Sequence, residues 1–274
     1  MKKLILSLLF FPISFFAQDN NGFVEKSSQD IFLERLNNSP RHHEWVEISV
    51  GENKIKSFLV YPEVSKKVPI VIIIHENKGL NNWAKSMADQ IAEMGYIALA
   101  PDFLSGTGSN GGGTIAYGNS NAARDAIYAL NPDDITDILN AKVDYAKNIS
   151  AGNSKVAVVG FCWGGSQSFR FATNNNTIET AIVCYGSGPK DESAYKNIEF
   201  PVYGFYGEND NRVNSTIEQS EAAMKAYGKF FEPIIYEGAG HGFFRSGEEQ
   251  NASKANELGR KKGLKRLKKI LDNL

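Results

Sequence analysis

The segment from Val159 to Gly165 carries the side chain best suited to chemistry in this chain. It reads Val-Gly-Phe-Cys-Trp-Gly-Gly and lies between an apolar, β-type run and a helical run. The pattern is that of the nucleophile elbow G-x-S-x-G, with Cys162 in place of the serine. The start of the following helix brings partial positive charge towards the sulfur and favours thiolate. Cys162 is therefore predicted to be a nucleophile, and the alternative is a buried structural cysteine.

Two later turns supply the acid and the base that such a nucleophile requires. Asp210 lies in the turn after one predicted strand, and His241 lies between two glycines after the next strand. The order nucleophile, acid, base is that of the α/β-hydrolases. The sequence thus predicts a triad of Cys162, Asp210 and His241, with Glu208 as a second candidate for the acid. The backbone N–H that follows the nucleophile, that of Trp163, is expected to donate to an oxyanion.

The elements that must position these turns alternate between strands and helices. Strands are predicted over residues 44–50, 55–61, 69–75, 96–100, 155–161, 180–185, 202–206 and 232–236. Helices are predicted over residues 83–94, 132–146, 164–173, 216–227 and 252–274. The first two strands form a hairpin, and the remaining alternation indicates crossover connections. The predicted fold class is α/β, with one mostly parallel central sheet and helices on both faces.

A glycine-rich insert occupies residues 103–122. It contains G-x-G-x-x-G from Gly106 to Gly111, a spelling that also occurs in dinucleotide-binding turns. Those turns open directly into a helix, whereas more glycines follow here. The insert is therefore predicted to be a flexible rim loop of the active site, and no cofactor is predicted.

The N-terminal region is predicted to be processed. Residues 1–17 combine two lysines, a short apolar run and a final alanine, which is the pattern of a secretory signal peptide. The alternative is a membrane anchor, for which the run is short and interrupted by Pro12. Residues 18–43 are polar and are predicted to form an extended leader, or a segment that wraps over the surface, before a single domain at residues 44–274. The protein is expected to be secreted, into the periplasm, without stable membrane insertion.

Charge and cysteine content exclude several classes of protein. The formal net charge is -1, which argues against binding nucleic acid by neutralising phosphates. Two cysteines do not make a disulfide scaffold; Cys184 is expected to be a core residue, and the alternative is a disulfide with Cys162. His75 and Glu76 begin like the zinc motif H-E-x-x-H, but Gly79 stands where the second histidine would be. No metal site is predicted.

The triad motifs resemble those of the dienelactone hydrolase family over roughly residues 44–274. The nucleophile stretch 160–165 matches G-x-C-x-G-G, the acid stretch 207–213 matches G-x-x-D-x-x-V, and residues 239–243 carry the base. The resemblance implies an α/β-hydrolase fold and cleavage of a small-molecule carboxylic ester or lactone through a thioester. Two alternatives remain open: a non-catalytic ligand-binding protein on the same fold, and an acyltransferase that passes the acyl group to an acceptor other than water.

The resemblance also implies roles for three further residues. Glu76 is expected to contact the resting thiol, and the backbone N–H of Asn77 is expected to be the second oxyanion donor. Arg245, four residues after the histidine, is expected to bind a substrate carboxylate. Without the resemblance, Glu76 could pair with Lys78, and Arg245 could be an exposed loop charge. The family's second carboxylate-binding arginine, after Pro-Asp, is absent here, which puts dienelactone itself in doubt as the substrate.

Overall fold

An eight-stranded sheet forms the centre of the computed structural model, which describes residues 27–274. The strands are β1 His42–Val50, β2 Asn53–Tyr61, β3 Val68–Ile74, β4 Ile97–Pro101, β5 Gly152–Phe161, β6 Thr180–Cys184, β7 Val202–Asn209 and β8 Phe231–Gly240. Their order in the sheet is β1-β2-β4-β3-β5-β6-β7-β8. The pairs β1–β2 and β2–β4 are antiparallel, and every other neighbouring pair is parallel. The predicted α/β class with a mostly parallel sheet is confirmed.

Helices cover both faces of this sheet. They are α1 Ser28–Asn37, α2 Asn82–Glu93, α3 Ser120–Tyr128, α4 Pro132–Lys147, α5 Trp163–Ala172, α6 Asn211–Asn214, α7 Ile217–Ala226, α8 Phe243–Ser246 and α9 Lys254–Leu271. The buried side chains form two clusters, one on each face. One includes residues of α4, α5 and α7, and the other includes residues of α1, α2 and α9.

Strand β3 shows why a central strand of this sheet is apolar throughout. Ile70, Ile72 and Ile74 belong to one core cluster, whereas Val71 and Ile73 belong to the other. Successive side chains of a strand point to opposite faces, so a strand covered on both sides has no solvent-facing position. The continuous β-branched run therefore places this strand in the centre of the sheet.

The extended segment predicted for residues 18–43 contains helix α1 instead. The side chain of Ser27 accepts a hydrogen bond from the backbone N–H of Asp30, whose carboxylate accepts from the N–H of Ser27 in return, forming a capping box. Phe32 and Leu36 are buried in the same cluster as the side chains of α2. The predicted signal peptide and residues 18–26 lie outside the described residues.

A buried carboxylate holds the chain that follows α1 against α2. Asp89 accepts hydrogen bonds from Ser39 at 2.6 Å and from two nitrogens of Arg41, and it contacts His43 at 2.8 Å. Burial alone would raise the pKa of Asp89, but these hydrogen bonds and the charge of Arg41 hold it below its usual range. The network attaches the N-terminal part of the described chain to the body of the domain.

The last helix lies on the surface with one apolar stripe towards the core. Leu267 and Leu271 of α9 are buried and Leu264 packs against the same cluster. Over residues 27–274, every helix is too short or too polar to cross a bilayer.

Candidate active site

The turn between β5 and α5 is a strained elbow with Cys162 at its tip. Cys162 has φ 56° and ψ −114°, a backbone conformation that residues with a side chain seldom adopt. The turn is tight enough that a Cβ on Gly160 would lie 1.8 Å from the carbonyl oxygen of Gly164. A Cβ on Gly164 would lie 2.3 Å from the carbonyl oxygen of Ile74. Both glycines are thus required by close backbone contacts, which lift the sulfur above the carboxyl edge of the sheet.

The turns after β7 and β8 bring the predicted acid and base to this sulfur. His241 Nε2 lies 3.1 Å from Cys162 Sγ, and His241 Nδ1 lies 2.5 Å from Asp210 Oδ2. Because a carboxylate only accepts, Nδ1 carries a proton, and a neutral imidazole then presents Nε2 as an acceptor to the thiol. Glu208 is exposed and accepts from the backbone N–H of Gly238 instead. The structure therefore brings together Cys162, His241 and Asp210, and leaves Glu208 outside.

The environment of the sulfur favours the protonated thiol at rest. Burial and the negative charge of Glu76 raise the pKa of Cys162 to about 11. The backbone N–H groups of Trp163 and Asn77 hydrogen-bond the sulfur and, with the charge of Arg212, lower its pKa by a smaller amount. Burial and the charge of Glu76 thus outweigh the preference for thiolate that was expected from the start of the helix. The two N–H groups come from different segments of the chain, and both are directed at the sulfur.

Glu76 is buried next to this site, and its partners differ from the predicted ones. Its carboxylate accepts a hydrogen bond from Arg245 Nε at 2.9 Å and from the hydroxyl of Tyr185 at 3.3 Å. Lys78 is exposed and is not its partner. The thiol is paired with His241, so Glu76 acts on the sulfur through its charge rather than through the expected direct contact.

Arg245 is held by two carboxylates. Besides its bond to Glu76, its Nη1 donates to Glu249 Oε1 at 2.7 Å. Burial would lower the pKa of Arg245, but the charges of Glu76 and Glu249 raise it above the ordinary value. Its positive charge is compensated within the protein, and its side chain is not among those that line the cavity at the thiol. This placement differs from the substrate-binding role expected from the resemblance.

The glycine-rich insert positions the loop that carries Asn77. The hydroxyl of Thr114 accepts from the backbone N–H of Leu80 at 2.9 Å and donates to the buried carboxylate of Asp102 at 2.7 Å. A Cβ on Gly79, which has φ 75°, would lie 2.2 Å from this hydroxyl. Thr114 of the insert is thus packed against the loop that carries Asn77, and no residue of the predicted rim stretch 103–122 lines the cavity.

A cavity of about 560 Å³ opens above Cys162. Its lining combines aliphatic and aromatic side chains with a few polar and positively charged ones: Ile127, Tyr128, Leu130, Pro132, Ile135, Cys162, Trp163, Ser166, Gln167, Tyr185, Lys190 and Arg212. Sequence reasoning missed Tyr128, Tyr185, Lys190 and Arg212. Tyr185 could have been found from its place in the sequence, because it directly follows β6 and ligands of α/β sheets bind beyond the carboxyl ends of the strands.

Two further residues near the site are structural. Cys184 is fully buried and its thiol is free, which confirms the expected core residue. His75 is also fully buried, stacks on Trp163 with ring centroids 5.6 Å apart, and donates from Nδ1 to the carbonyl of Glu76. Burial lowers the pKa of His75. Within residues 27–274, no group of three or more histidine, cysteine, aspartate or glutamate side chains is arranged to hold a metal ion.

Comparisons with known proteins agree with this geometry. The model of the dienelactone hydrolase family matches residues 55–272. Proteins named "Putative carboxymethylenebutenolidase" from Methylorubrum extorquens and Saccharolobus solfataricus are each 28% identical, over 210 and 224 residues. These matches cover 72% and 70% of this chain, and 71% and 84% of the two relatives.

A solved structure from Klebsiella pneumoniae, described as a "Putative Dienelactone Hydrolase", is similar in fold. It superposes with a TM-score of 0.74 at 20% sequence identity, covering 85% of this chain and 99% of that one. At this identity the likeness supports the fold alone.

Proposed function

The chain belongs to the dienelactone hydrolase family and is an ester or lactone hydrolase, and we propose that Cys162 is its nucleophile. The observation that carries this proposal is a continuous chain of contacts: Cys162 Sγ lies 3.1 Å from His241 Nε2, and His241 Nδ1 lies 2.5 Å from Asp210 Oδ2. A nucleophile hydrogen-bonded to a base, which is oriented by a third group, is the arrangement that covalent acyl transfer requires.

The first half of the reaction forms a thioester. His241 Nε2 accepts the thiol proton while the sulfur forms a bond to the carbonyl carbon, since a thiol with a pKa of about 11 is not ionised beforehand. The carbonyl oxygen becomes an oxyanion that accepts from the N–H groups of Trp163 and Asn77. Asp210 stabilises the imidazolium. Collapse breaks the bond to the alkoxy oxygen, which leaves as the alcohol with the proton from His241.

The second half of the reaction regenerates the enzyme. Water enters the cavity and gives a proton to His241 as its oxygen bonds to the acyl carbon. The second oxyanion is held by the same two N–H groups. When it collapses, the carbon–sulfur bond breaks, the carboxylic acid is released, and Cys162 regains its proton from the imidazolium. In a lactone the alcohol and the acid are parts of one product molecule.

The test compares the wild type with Cys162→Ala on esters of 4-nitrophenol and on dienelactone. We expect Cys162→Ala to reduce kcat/KM by at least about 10³-fold, since removal of a triad member leaves only the oxyanion donors and binding. Cys184→Ala is the matched control and should retain turnover, because that thiol lies in the core. Mass spectrometry of quenched wild-type enzyme should show an acyl adduct on Cys162.

Undiminished hydrolysis by Cys162→Ala would refute the cysteine nucleophile. Acyl transfer that proceeds only when an amine or alcohol is added would identify an acyltransferase. Ligand binding without turnover of any ester, lactone or thioester would identify a non-catalytic protein.

We also propose that the protein is secreted into the periplasm. The support is the pattern of residues 1–17, with Lys2 and Lys3 before the apolar run and Ala17 at its end. Fractionation of the native host followed by N-terminal sequencing tests this proposal. A mature chain that begins shortly after Ala17 is the expected result, and a cytoplasmic chain that retains residues 1–17 would contradict it.

A further inference from the structure

We propose that Asp102 and Thr114 are positioning residues that aim the backbone N–H of Asn77 at the oxyanion, so that the rate of hydrolysis depends on a carboxylate and a hydroxyl outside the cavity. The inference rests on the proposed function, because it concerns one of the two N–H groups that hold the oxyanion there. It gives the glycine-rich insert, residues 103–122, a role in the reaction although no residue of the insert lines the cavity.

The loop that carries Asn77 connects the end of β3 to the start of α2 and comprises residues 75–81. The N–H of Asn77 hydrogen-bonds the sulfur of Cys162. A backbone donor has no rotamers of its own, so the conformation of the loop alone sets its direction. Such a donor stabilises an oxyanion well only when it is held in place before the charge develops. The groups that fix this loop therefore control the donor.

The backbone of the loop is held on both sides of Asn77. Before it, the carbonyl of Glu76 accepts a hydrogen bond from Nδ1 of the buried His75 at 2.8 Å. After it, the N–H of Leu80 donates to the hydroxyl of Thr114 at 2.9 Å. The first contact comes from the residue next to Glu76, whereas the second comes from the insert. The insert is thus the distant segment that fixes the loop after Asn77.

The Thr114 hydroxyl fixes the loop by contact as well as by its hydrogen bond. A Cβ on Gly79 would lie 2.2 Å from the hydroxyl oxygen, so the loop backbone packs directly on this atom. The two contacted residues, Gly79 and Leu80, are two and three positions beyond Asn77. Loss of the hydroxyl would leave the N–H of Leu80 without this acceptor and would open space beneath the loop, so the backbone would shift.

Asp102 fixes the orientation of the Thr114 hydroxyl. Its Oδ1 accepts from this hydroxyl at 2.7 Å, and its Oδ2 accepts from the backbone N–H of Thr114 at 2.8 Å. A hydroxyl has one proton, so donation to Asp102 leaves its lone pairs to accept from Leu80. Hydrogen bonds to a carboxylate are also stronger than those between neutral groups. The carboxylate therefore makes the hydroxyl a fixed acceptor for the loop.

Asp102 is itself fixed to the sheet. It directly follows β4, the parallel neighbour of β3, and its side chain is only 6% exposed. Its backbone N–H donates to the carbonyl of Lys56 at 2.9 Å, and its carbonyl accepts from the hydroxyl of Ser105 at 2.7 Å. A Cβ on Gly113 would lie 2.5 Å from Oδ2, which shows how closely the insert packs on the carboxylate. The sheet, Asp102 and Thr114 thus form one rigid support for the loop.

The experiment centres on Thr114→Val, which keeps the shape of the side chain and removes the hydroxyl. Thr114→Ser retains the hydroxyl and tests for rescue. Thr107→Val is the matched control, because it removes a hydroxyl of the same insert that bonds the carbonyl of Leu104 and the hydroxyl of Tyr117, both within the insert. Asp102→Asn is the second variant. An amide accepts through one oxygen only, so at least one of the two bonds to Thr114 is lost.

Two measurements separate positioning from a merely structural role. The first is kcat and KM for 4-nitrophenyl butyrate. The second is inhibition by butanal, whose carbonyl carbon bonds to the sulfur while the thiol proton passes to the carbonyl oxygen. The resulting hemithioacetal places an oxygen where the oxyanion forms. An inhibition constant measured below the unfolding temperature reports this interaction and not the stability of the fold.

The expected changes follow from the loss of a donor. Removing an oxyanion donor lowers kcat about 10²- to 10³-fold, and a misaimed donor should lose part of that. We therefore expect Thr114→Val to lower kcat about tenfold to hundredfold and to change KM less than about threefold. Both half-reactions form an oxyanion, so kcat falls whichever half limits the rate. The butanal inhibition constant should rise about threefold or more. Thr114→Ser and Thr107→Val should stay within about threefold of the wild type.

Thermal unfolding identifies the variants that are folded. A folded Thr114→Val with wild-type kcat and wild-type inhibition by butanal would overturn the proposal and leave the catalytic proposal standing. An equal loss in Thr107→Val, or no recovery in Thr114→Ser, would overturn it as well. If Thr114→Val does not fold, Asp102→Asn decides by the same two measurements.

A wild type that hydrolyses no ester would refute the catalytic proposal and not the positioning of the loop. The N–H of Asn77 lowers the pKa of Cys162, so a misaimed N–H raises this pKa. Thr114→Val should then react more slowly with iodoacetamide at a fixed pH, since only the thiolate reacts. An equal rate in Thr114→Val and the wild type would overturn the positioning role.

Discussion

Replacing Glu76 with glutamine should make the resting thiol of Cys162 more acidic. The substitution removes a buried negative charge but keeps an oxygen that can accept from Arg245 and Tyr185. The charge of Glu76 is one of the two causes that raise the thiol pKa, the other being burial. Its loss stabilises the thiolate relative to the thiol, and the less compensated charge of Arg245 acts in the same direction. The thiol pKa should therefore fall from about 11 towards its ordinary value of 9.0.

The size of the effect follows from the charge that is removed. A neighbouring charge in a partly buried site changes a pKa by about 1 to 3, and pairing with Arg245 places the effect of Glu76 at the lower end. With a thiol pKa of about 11, about one sulfur in a thousand is ionised at pH 8. A decrease in pKa of about 1 raises this fraction about tenfold. The rate of alkylation at low pH should rise by a similar factor, since only the thiolate reacts.

The assay is the rate of reaction with iodoacetamide across a range of pH, followed by intact mass. Cys184 is fully buried, so a single alkylation of the folded protein reports Cys162. Glu249→Gln is the matched control, because it removes the other carboxylate of Arg245 without removing the charge that raises the thiol pKa. An alkylation rate that is unchanged or slower in Glu76→Gln, or equally faster in Glu249→Gln, would refute this reasoning.

Three further substitutions test how the fold holds the site. Gly160→Ala places a Cβ 1.8 Å from the Gly164 carbonyl and should lower the free energy of unfolding, measured with urea, by about 3 kcal/mol or more. Lys142 is fully buried, which lowers its pKa to about 7, so the folded protein bears the cost of a buried ammonium at lower pH. The contribution of Lys142 to the free energy of unfolding therefore rises between pH 7 and 10.5. Lys142→Met should raise the free energy of unfolding by about 2 kcal/mol at acidic pH, and this difference from the wild type should shrink towards pH 10. Asp89→Asn should cost about 3 kcal/mol in urea unfolding, and the wild type should lose this contribution as the pH falls through the lowered pKa of Asp89.

Each of these has a control in the same chain. Gly51 has φ 57° but open space around its Cα, so Gly51→Ala should show only the backbone cost of about 1 kcal/mol. Lys261→Met and Asp144→Asn change exposed residues and should stay within about 0.5 kcal/mol of the wild type. A Gly160→Ala cost no larger than that of Gly51→Ala would contradict the steric argument. A pH-independent effect of Lys142→Met, or no effect of Asp89→Asn, would contradict the burial argument.

The sequence was most informative where the backbone itself is constrained. The glycines around Cys162 are required by contacts of a single turn, so their spacing predicted the elbow that the structure shows. Strand β3 could be predicted for a similar reason, because burial on both faces of the sheet requires a continuous apolar run in the sequence. Helix α1 was missed because its apolar residues, Phe32 and Leu36, indicate a helix only once α2 offers a surface for them to cover.

The electrostatics of the site depended on which distant segments meet. Alternating strands and helices, together with turns that end in Cys162, Asp210 and His241, were enough to predict the family and the meeting of these three side chains. The partners of Arg245 and the protonated state of the thiol could not be predicted from the sequence. Local backbone preference acts over a few neighbouring residues, so short sequence patterns are enough to predict it. A charge is compensated, and a pKa is set, by groups far apart in the chain, which only the tertiary structure brings within a few ångströms of one another.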